Sequence, residues 1–295
     1  MSISIRSAWS LLITVVFLVA SPAKVTWAQI DRELEFKIDT QMYVGDSKES
    51  AFGNKTIFSE GLIFDFPLAA GSKSPEEILI YDSNLKTISL LDLKRQMQLK
   101  LLDVQLKKMV EGVRQQLASD DRSRLIAEQK FEEKVELEKN LFVLSGDQNM
   151  TYRMHGKEPE SGKVLSAYFE FIDAFTRVQI TDPKKIPPFA RIRLNESIRR
   201  IGWIPDRVDM EIGENSFFSE SFKAHTKHKL TMTVSDRDRA EIALAKKNWA
   251  AFPEVSLAKY RGLAEKKTFL SRVAEGAKVE QQPAPTIEQP AVPTE

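Results

Sequence analysis

Apolar and polar residues alternate in the first and last runs of the stretch from Thr56 to Leu101, and the rest of the chain is organised around this stretch. It reads TIFSEGLIFDF, a short polar break, EILIYDSNLKTISLLDL and then KRQMQLKL. In the first run the even positions Phe58, Leu62, Phe64 and Phe66 are apolar, while Ser59, Gly61 and Asp65 interrupt the odd ones. In the last run Met97, Leu99 and Leu101 alternate with Gln96, Gln98 and Lys100. A period of two sends neighbouring side chains to opposite faces of a strand, so one face is meant for burial. Asp82-Ser83-Asn84 separates two β-rich segments with short polar residues that favour a tight turn. The pattern predicts an antiparallel meander with one apolar face.

The flanking segments change period repeatedly. Leu34, Phe36 and Ile38 begin a first strand that runs through Met42 and Val44 and stops at Gly45-Asp46-Ser47. After the meander, Asp103 is placed to cap a helix in which Leu106, Met109, Val110, Val113 and Leu117 share one face. The charged segment DDRSRLIAEQKFEEKVELEK predicts a solvated helix near residues 121–139, lying over a sheet. NLFVLSG and MTYRMHG then flank Gly146-Asp147-Gln148-Asn149 as a second hairpin. From Lys163, the residues Val164, Tyr168, Phe171, Ile172, Phe175 and Val178 form the most apolar helical face of the chain, and Asp182-Pro183 ends it. A further helix starts after Pro187-Pro188 and ends at Arg199-Arg200-Ile201-Gly202. Val208, Met210 and Ile212 mark a strand paired with Phe222 to Val234, whose Leu230, Met232 and Val234 are expected inward. Ser235 caps a last helix running to about Trp249. Strands grouped apart from helices indicate an α+β fold with an antiparallel sheet rather than a βαβ nucleotide fold.

Both ends differ from this middle. Arg6, the apolar run AWSLLITVVFLVA and the small-x-small site Thr26-Trp27-Ala28 read as a signal peptide over residues 1–28, cleaved near Ala28. The expected location is therefore outside the cytoplasm, periplasmic or extracellular, with no integral membrane span after cleavage. Cleavage takes the formal charge from +1 to −1. Acids and bases are interspersed, which argues against a nucleic-acid surface. The absence of cysteine leaves an exported chain to hold itself together by its core. Residues 266–295 are rich in proline and poor in large apolar side chains, so a disordered tail is expected. One domain over residues 29–265 remains.

The meander run TIFSEGLIFDF…EILIYDSNLKTISLLDLKRQMQLKL resembles the central strands of the LolA/LolB-like lipoprotein-carrier superfamily, and IPDRVDMEIGENSFFSESFKAHTKHKLTMTV resembles that fold's closing hairpin. MTYRMHG, PPFARIRLNESIRRIGWIPDRV and SDRDRAEI are similar to an uncharacterised family of exported bacterial proteins. The resemblance spans most of residues 33–262 and its motifs are structural. It implies a curved antiparallel sheet, an incomplete barrel, with helices on the concave face and an acyl chain or another apolar ligand held there. The charged segment near residues 121–139 and the proline-rich tail depart from the small carriers, and no arginine here aligns with the carriers' functional one.

Candidate chemistry is sparse. His225 and His228 lie three apart in a strand and face opposite ways, so they cannot share a metal ion. No G-x-S-x-G elbow is present, and Gly45, Gly53, Gly61 and Gly71 are spaced as turn or bulge residues rather than as a phosphate loop. No catalytic residue, metal or cofactor is assigned. The aromatic content points to ligand binding: Phe58, Leu62, Phe64, Phe66, Tyr168, Phe171 and Phe175 are candidates to line a cavity between sheet and helix. The expected function is non-enzymatic binding of a lipid or lipoprotein acyl chain in the cell envelope. The alternative is a module with a packed core and another envelope protein as its partner.

Overall fold

Alternation of apolar and polar residues gives this chain strands that each need a neighbour, and the structure supplies one continuous sheet. The computed structural model describes residues 34–119, 123–147, 149–182, 185–213 and 221–263. The expected signal peptide, the proline-rich tail and Pro183 lie outside the described residues. Six strands come first: β1 Phe36–Val44, β2 Phe52–Ser59, β3 Leu62–Ala69, β4 Glu77–Asp82, β5 Thr87–Asp92 and β6 Met97–Leu102. Helices α1 Asp103–Ala118 and α2 Arg124–Ala127 precede β7 Phe131–Glu136, β8 Leu141–Gly146 and β9 Met150–Lys157. Then follow α3 Gly162–Val178, α4 Phe189–Ile201, β10 Ile204–Ile212, β11 Phe222–Thr231, α5 Asp236–Ala251 and α6 Leu257–Arg261. The eleven strands form one antiparallel sheet in the order β6-β5-β4-β3-β2-β1-β11-β10-β9-β8-β7, which does not close into a barrel. With six helices among the described residues, the fold is α+β.

The sheet has two buried faces, and a turn decides which residues reach each. Glu60 and Gly61 join β2 to β3, both at positive φ (56° and 75°), the twist a two-residue hairpin needs. That loop pairs Phe58 with Ile63 and Ile57 with Phe64, so the inward set changes from even to odd numbers across it. Phe58 and Ile63 accordingly join one core with Leu79, Tyr81, α1, α3 and α4. Ile57, Phe64 and Phe66 join a second core with Ile78, Ile80 and Leu91 under Ile242 and Ala245 of α5. The sheet is thus apolar on both faces across β2–β5.

α5 is fixed by chemistry as well as burial. The Ser235 hydroxyl accepts from the Asp238 N–H, and the Asp238 carboxylate accepts from the Ser235 N–H, a reciprocal cap. The same carboxylate takes Lys37 of β1 and Lys55 of β2, each at 2.9 Å. Burial works against ionising Asp238, but hydrogen bonds from Lys37, Ser235 and Lys55 outweigh it and hold the carboxyl well below the usual range. Past α5 the chain crosses the β6 edge, where the Gln98 N–H donates to the Pro253 carbonyl and the Val255 N–H to the Gln98 carbonyl. This covers one sheet edge.

Three sequence expectations change. Among its described residues, the segment near residues 121–139 holds only the short α2 before β7, not a solvated helix. β7 pairs with β8 along one side, and Glu133 turns to the core face, where Arg193 and Arg200 of α4 hold it, each at 2.6 Å. Phe131 and Val135 suit either period, so the unpaired edge of β8 and the cations of α4 decide the outcome. Second, Met232 is 52% exposed, because β11 ends at Thr231 where its pairing with β1 ends. Leu230 packs on the first core and Val234 on the second, so the two part company past the strand end. Third, Asp103 is the first helical residue of α1, not its cap, and its carboxylate binds Arg177 and Lys107.

Candidate functional site: a cavity over the centre of the sheet

The middle strands carry short polar residues where the outer ones carry large apolar ones. Register pairing sets Thr56 beside Ile38, Asn54 beside Thr40 and Phe52 beside Met42 across β2 and β1. Across β1 and β11 it sets Thr40 beside His228 and Met42 beside Thr226, and across β10 and β9 Met210 beside Tyr152. Above this floor run Tyr168, Phe171, Ile172, Phe175 and Thr176 of α3, with Ala190 and Arg191 at the start of α4. Small residues facing a helix leave space, and a cavity of about 380 Å3 lies there, partly open to solvent beside Ile186 and Pro187. That volume falls within the ~300–1,000 Å3 usual for ligand sites.

Most of the polar floor is hydrogen-bonded into the sheet, the buried Asn54 Oδ1 having no partner among the described residues. The His228 ring bonds through Nδ1 to the Thr40 hydroxyl at 3.0 Å and through Nε2 to the Thr226 hydroxyl at 2.8 Å. Burial, with the nearby Arg191 charge adding to it, pushes His228 down to about 3, so the ring is neutral at physiological pH. The Thr56 hydroxyl donates to Asp65 at 2.6 Å, and burial raises the Asp65 carboxyl to about 6 against the pull of that bond. Burial also raises the phenols of Tyr152 and Tyr168, the latter to about 12, while Arg191 draws both back. His225 stands on the opposite face, stacked on Tyr43 with ring centroids 4.7 Å apart.

Of the aromatic and aliphatic candidates read from the sequence, Phe58, Tyr168, Phe171 and Phe175 line this cavity. Phe58 is clamped there, stacked on Phe36 at 4.0 Å and edge-on to Phe171 at 5.8 Å. Leu62, Phe64 and Phe66 are not brought to it, because the hairpin parity change sends them to the α5 face. Sequence reasoning missed Phe52, Asn54, Thr40, Thr226 and His228. The available signal was alternation itself: Ile38-Thr40-Met42 and Phe52-Asn54-Thr56-Phe58 are one face of two strands once polar residues are allowed inward.

A second cleft, about 710 Å3, lies between β4, α1 and α3 and is charged. Its groups largely satisfy one another. Lys86 pairs with Glu170, Tyr81 donates to Glu170 at 3.0 Å, and Arg177 binds Asp103 at 2.6 Å. Burial and the Glu170 charge push the Tyr81 phenol far up, which keeps it a donor. The cleft is read as a network tying α1 and α3 to the meander. Among the described residues no helix is long and apolar enough to cross a membrane, and no three His, Asp or Glu side chains are grouped to hold a metal. Compared with protein-family models and with curated proteins, this chain matches none.

Proposed function

We propose that this protein is an exported, non-enzymatic binding protein that takes an apolar chain, of the lipid or lipoprotein acyl class, into the cavity between the central strands and α3. The observation that carries the reading is the cavity itself: several hundred Å3 of partly open space with aromatic walls. A filled core would have favoured a module that binds another envelope protein. Transfer of a chain from water into this site gains roughly 0.8 kcal/mol for each buried methylene, which is why no catalytic group is needed. In the finer form of the proposal the sheet is a curved, incomplete barrel of the LolA type. Support comes from the first core, in which residues of β6 at one side of the sheet and of β8 at the other belong to one continuous cluster with α1, α3 and α4. The export segment read from the sequence places the activity in the envelope.

Native mass spectrometry of the protein purified from its own envelope, with lipid analysis of the extract, tests this. A stoichiometric acyl species that is absent from a folded Ile172→Trp or Met210→Trp variant, each of which fills the cavity, is the expected result. A clean apo mass with no uptake of offered fatty acids overturns it and directs the search to protein partners.

A further inference from the structure

We infer that the cavity recognises a single-chain amphiphile with an anionic head, whose oxygens bind Arg191 and the hydroxyls of Tyr152 and Tyr168. This rests on the proposed binding of an apolar chain and adds the chemistry of its other end. Four arginines lie on α4, and three have carboxylate partners: Arg193 and Arg200 bind Glu133, and Arg199 binds Asp173. Arg191, half-buried at the cavity wall, has no ion-pair or hydrogen-bond partner among the described residues. Arg191, Tyr152, Tyr168 and His228 all line this one cavity, and the Arg191 charge draws the other three downward.

The two tyrosines strengthen the case. Tyr152 and Tyr168 are 6% and 4% exposed, yet neither hydroxyl has a hydrogen-bond partner among the described residues. Both tyrosines line the cavity with Arg191, so their hydroxyls stand ready to donate to a ligand, while the buried Asn54 Oδ1 on the floor is an acceptor without a partner among the described residues. No Asp or Glu of the described residues lines the cavity, while Lys185 stands with Arg191 on the cationic side. Of the acids nearby, Asp65 lies behind Thr56 and accepts its hydroxyl hydrogen bond, and Asp173, whose charge reaches Tyr168, is paired with Arg199. His228, held neutral by burial, adds no charge of its own. A fixed cation in an apolar site is costly unless paired, and an anionic ligand head is the pairing that remains. Guanidinium takes carboxylate or phosphate oxygens two at a time, so either head fits this chemistry.

Binding of palmitate, of hexadecanol as its uncharged counterpart, and of lysophosphatidate is measured by calorimetry on the full, delipidated chain at neutral pH. Palmitate is expected to bind about 10- to 100-fold more tightly than hexadecanol, the worth of hydrogen bonds to a charged group. Arg191→Gln removes that preference and leaves hexadecanol unchanged. Tyr152→Phe and Tyr168→Phe, which keep the packing, each remove part of it. Whichever of palmitate and lysophosphatidate binds more tightly identifies the head as carboxylate or phosphate. Equal affinity for palmitate and hexadecanol, untouched by Arg191→Gln, overturns this inference and leaves the apolar-chain reading standing. Failure of all three probes to bind overturns both.

Discussion

Phe58 and Phe64 belong to one β-hairpin and are both fully buried, yet they serve opposite faces of the sheet with different packing. On the Phe64 face, Ile57, Ile78, Ile80 and Leu91 meet Ile242 and Ala245 of α5, a closed aliphatic layer. On the Phe58 face, Thr40, Thr56, Thr226 and His228 occupy the centre, and α3 and α4 present Thr176 and Ala190 above them. Large side chains on large ones fill space at interior density; short polar ones on the floor do not reach the α3 aromatics above them, which leaves a gap. The Phe64 face is closed throughout, whereas the Phe58 face carries the larger core and leaves room at its centre.

That contrast gives testable consequences. Phe64→Ala should lower stability by about 3–5 kcal/mol in urea unfolding, the usual loss for a fully packed ring, and should leave ligand affinity intact once folded. Phe64→Ala costing no more than a cavity-wall truncation would break the comparison.

Asp65 sharpens it through pH. Its folded carboxyl titrates near 6 against 3.8 unfolded, so its contribution to stability is complete below about pH 4 and lost as the pH rises through about 6. Asp65→Asn holds the neutral form, and relative to the wild type it should gain on the order of 3 kcal/mol between pH 4 and pH 8. Parallel stability curves for the two proteins would contradict the burial that raises this group.

Asp238 has the opposite sign. Its folded carboxyl is held below the usual range, so its contribution is present above about pH 4 and lost on acidification. Asp238→Asn should cost about 2 kcal/mol at neutral pH through the lost cap and lysine contacts, and less at pH 2, where the contribution is partly lost. An equal cost at both pH values would show that packing, not charge, fixes α5.

The smallest effect belongs to the cavity wall. Phe175 packs only partly against the first core, so Phe175→Ala should cost about 1 kcal/mol, below the ~1.5–3 kcal/mol of a fully buried ring. Ligand affinity should nevertheless fall. Loss of stability matching that of Phe64→Ala would mean this face is packed as tightly as the other.

Much of this architecture can be read from residue types alone. Alternation through Phe58 and through Met97, Leu99 and Leu101 predicts the meander, the face from Val164 to Val178 predicts α3, and Ser235 with Asp238 announces α5. Alternation does not carry parity across Glu60-Gly61, because the number of loop residues, not the side-chain pattern, sets which face follows. Thr40, Asn54 and His228 were hidden for a different reason: polar residues in a strand read as solvent-facing, and only sheet pairing reveals that they floor a cavity. β7 was hidden because its Phe131 and Val135 spacing satisfies a helix as well, and the deciding contacts with β8 and α4 are distant in sequence. Arg191 looks like its α4 neighbours in the sequence; what sets it apart is the lack of a partner among the described residues, which is a property of three dimensions.

The most direct test is nuclear magnetic resonance of the isotopically labelled protein with palmitate spin-labelled at the chain end. Binding in the cavity predicts that Thr40, Met210 and His228 broaden while Phe64, Ile80 and Ile242 stay sharp. Equal broadening on both faces of the sheet, or none on either, would contradict the assignment of one face to the ligand and the other to the core.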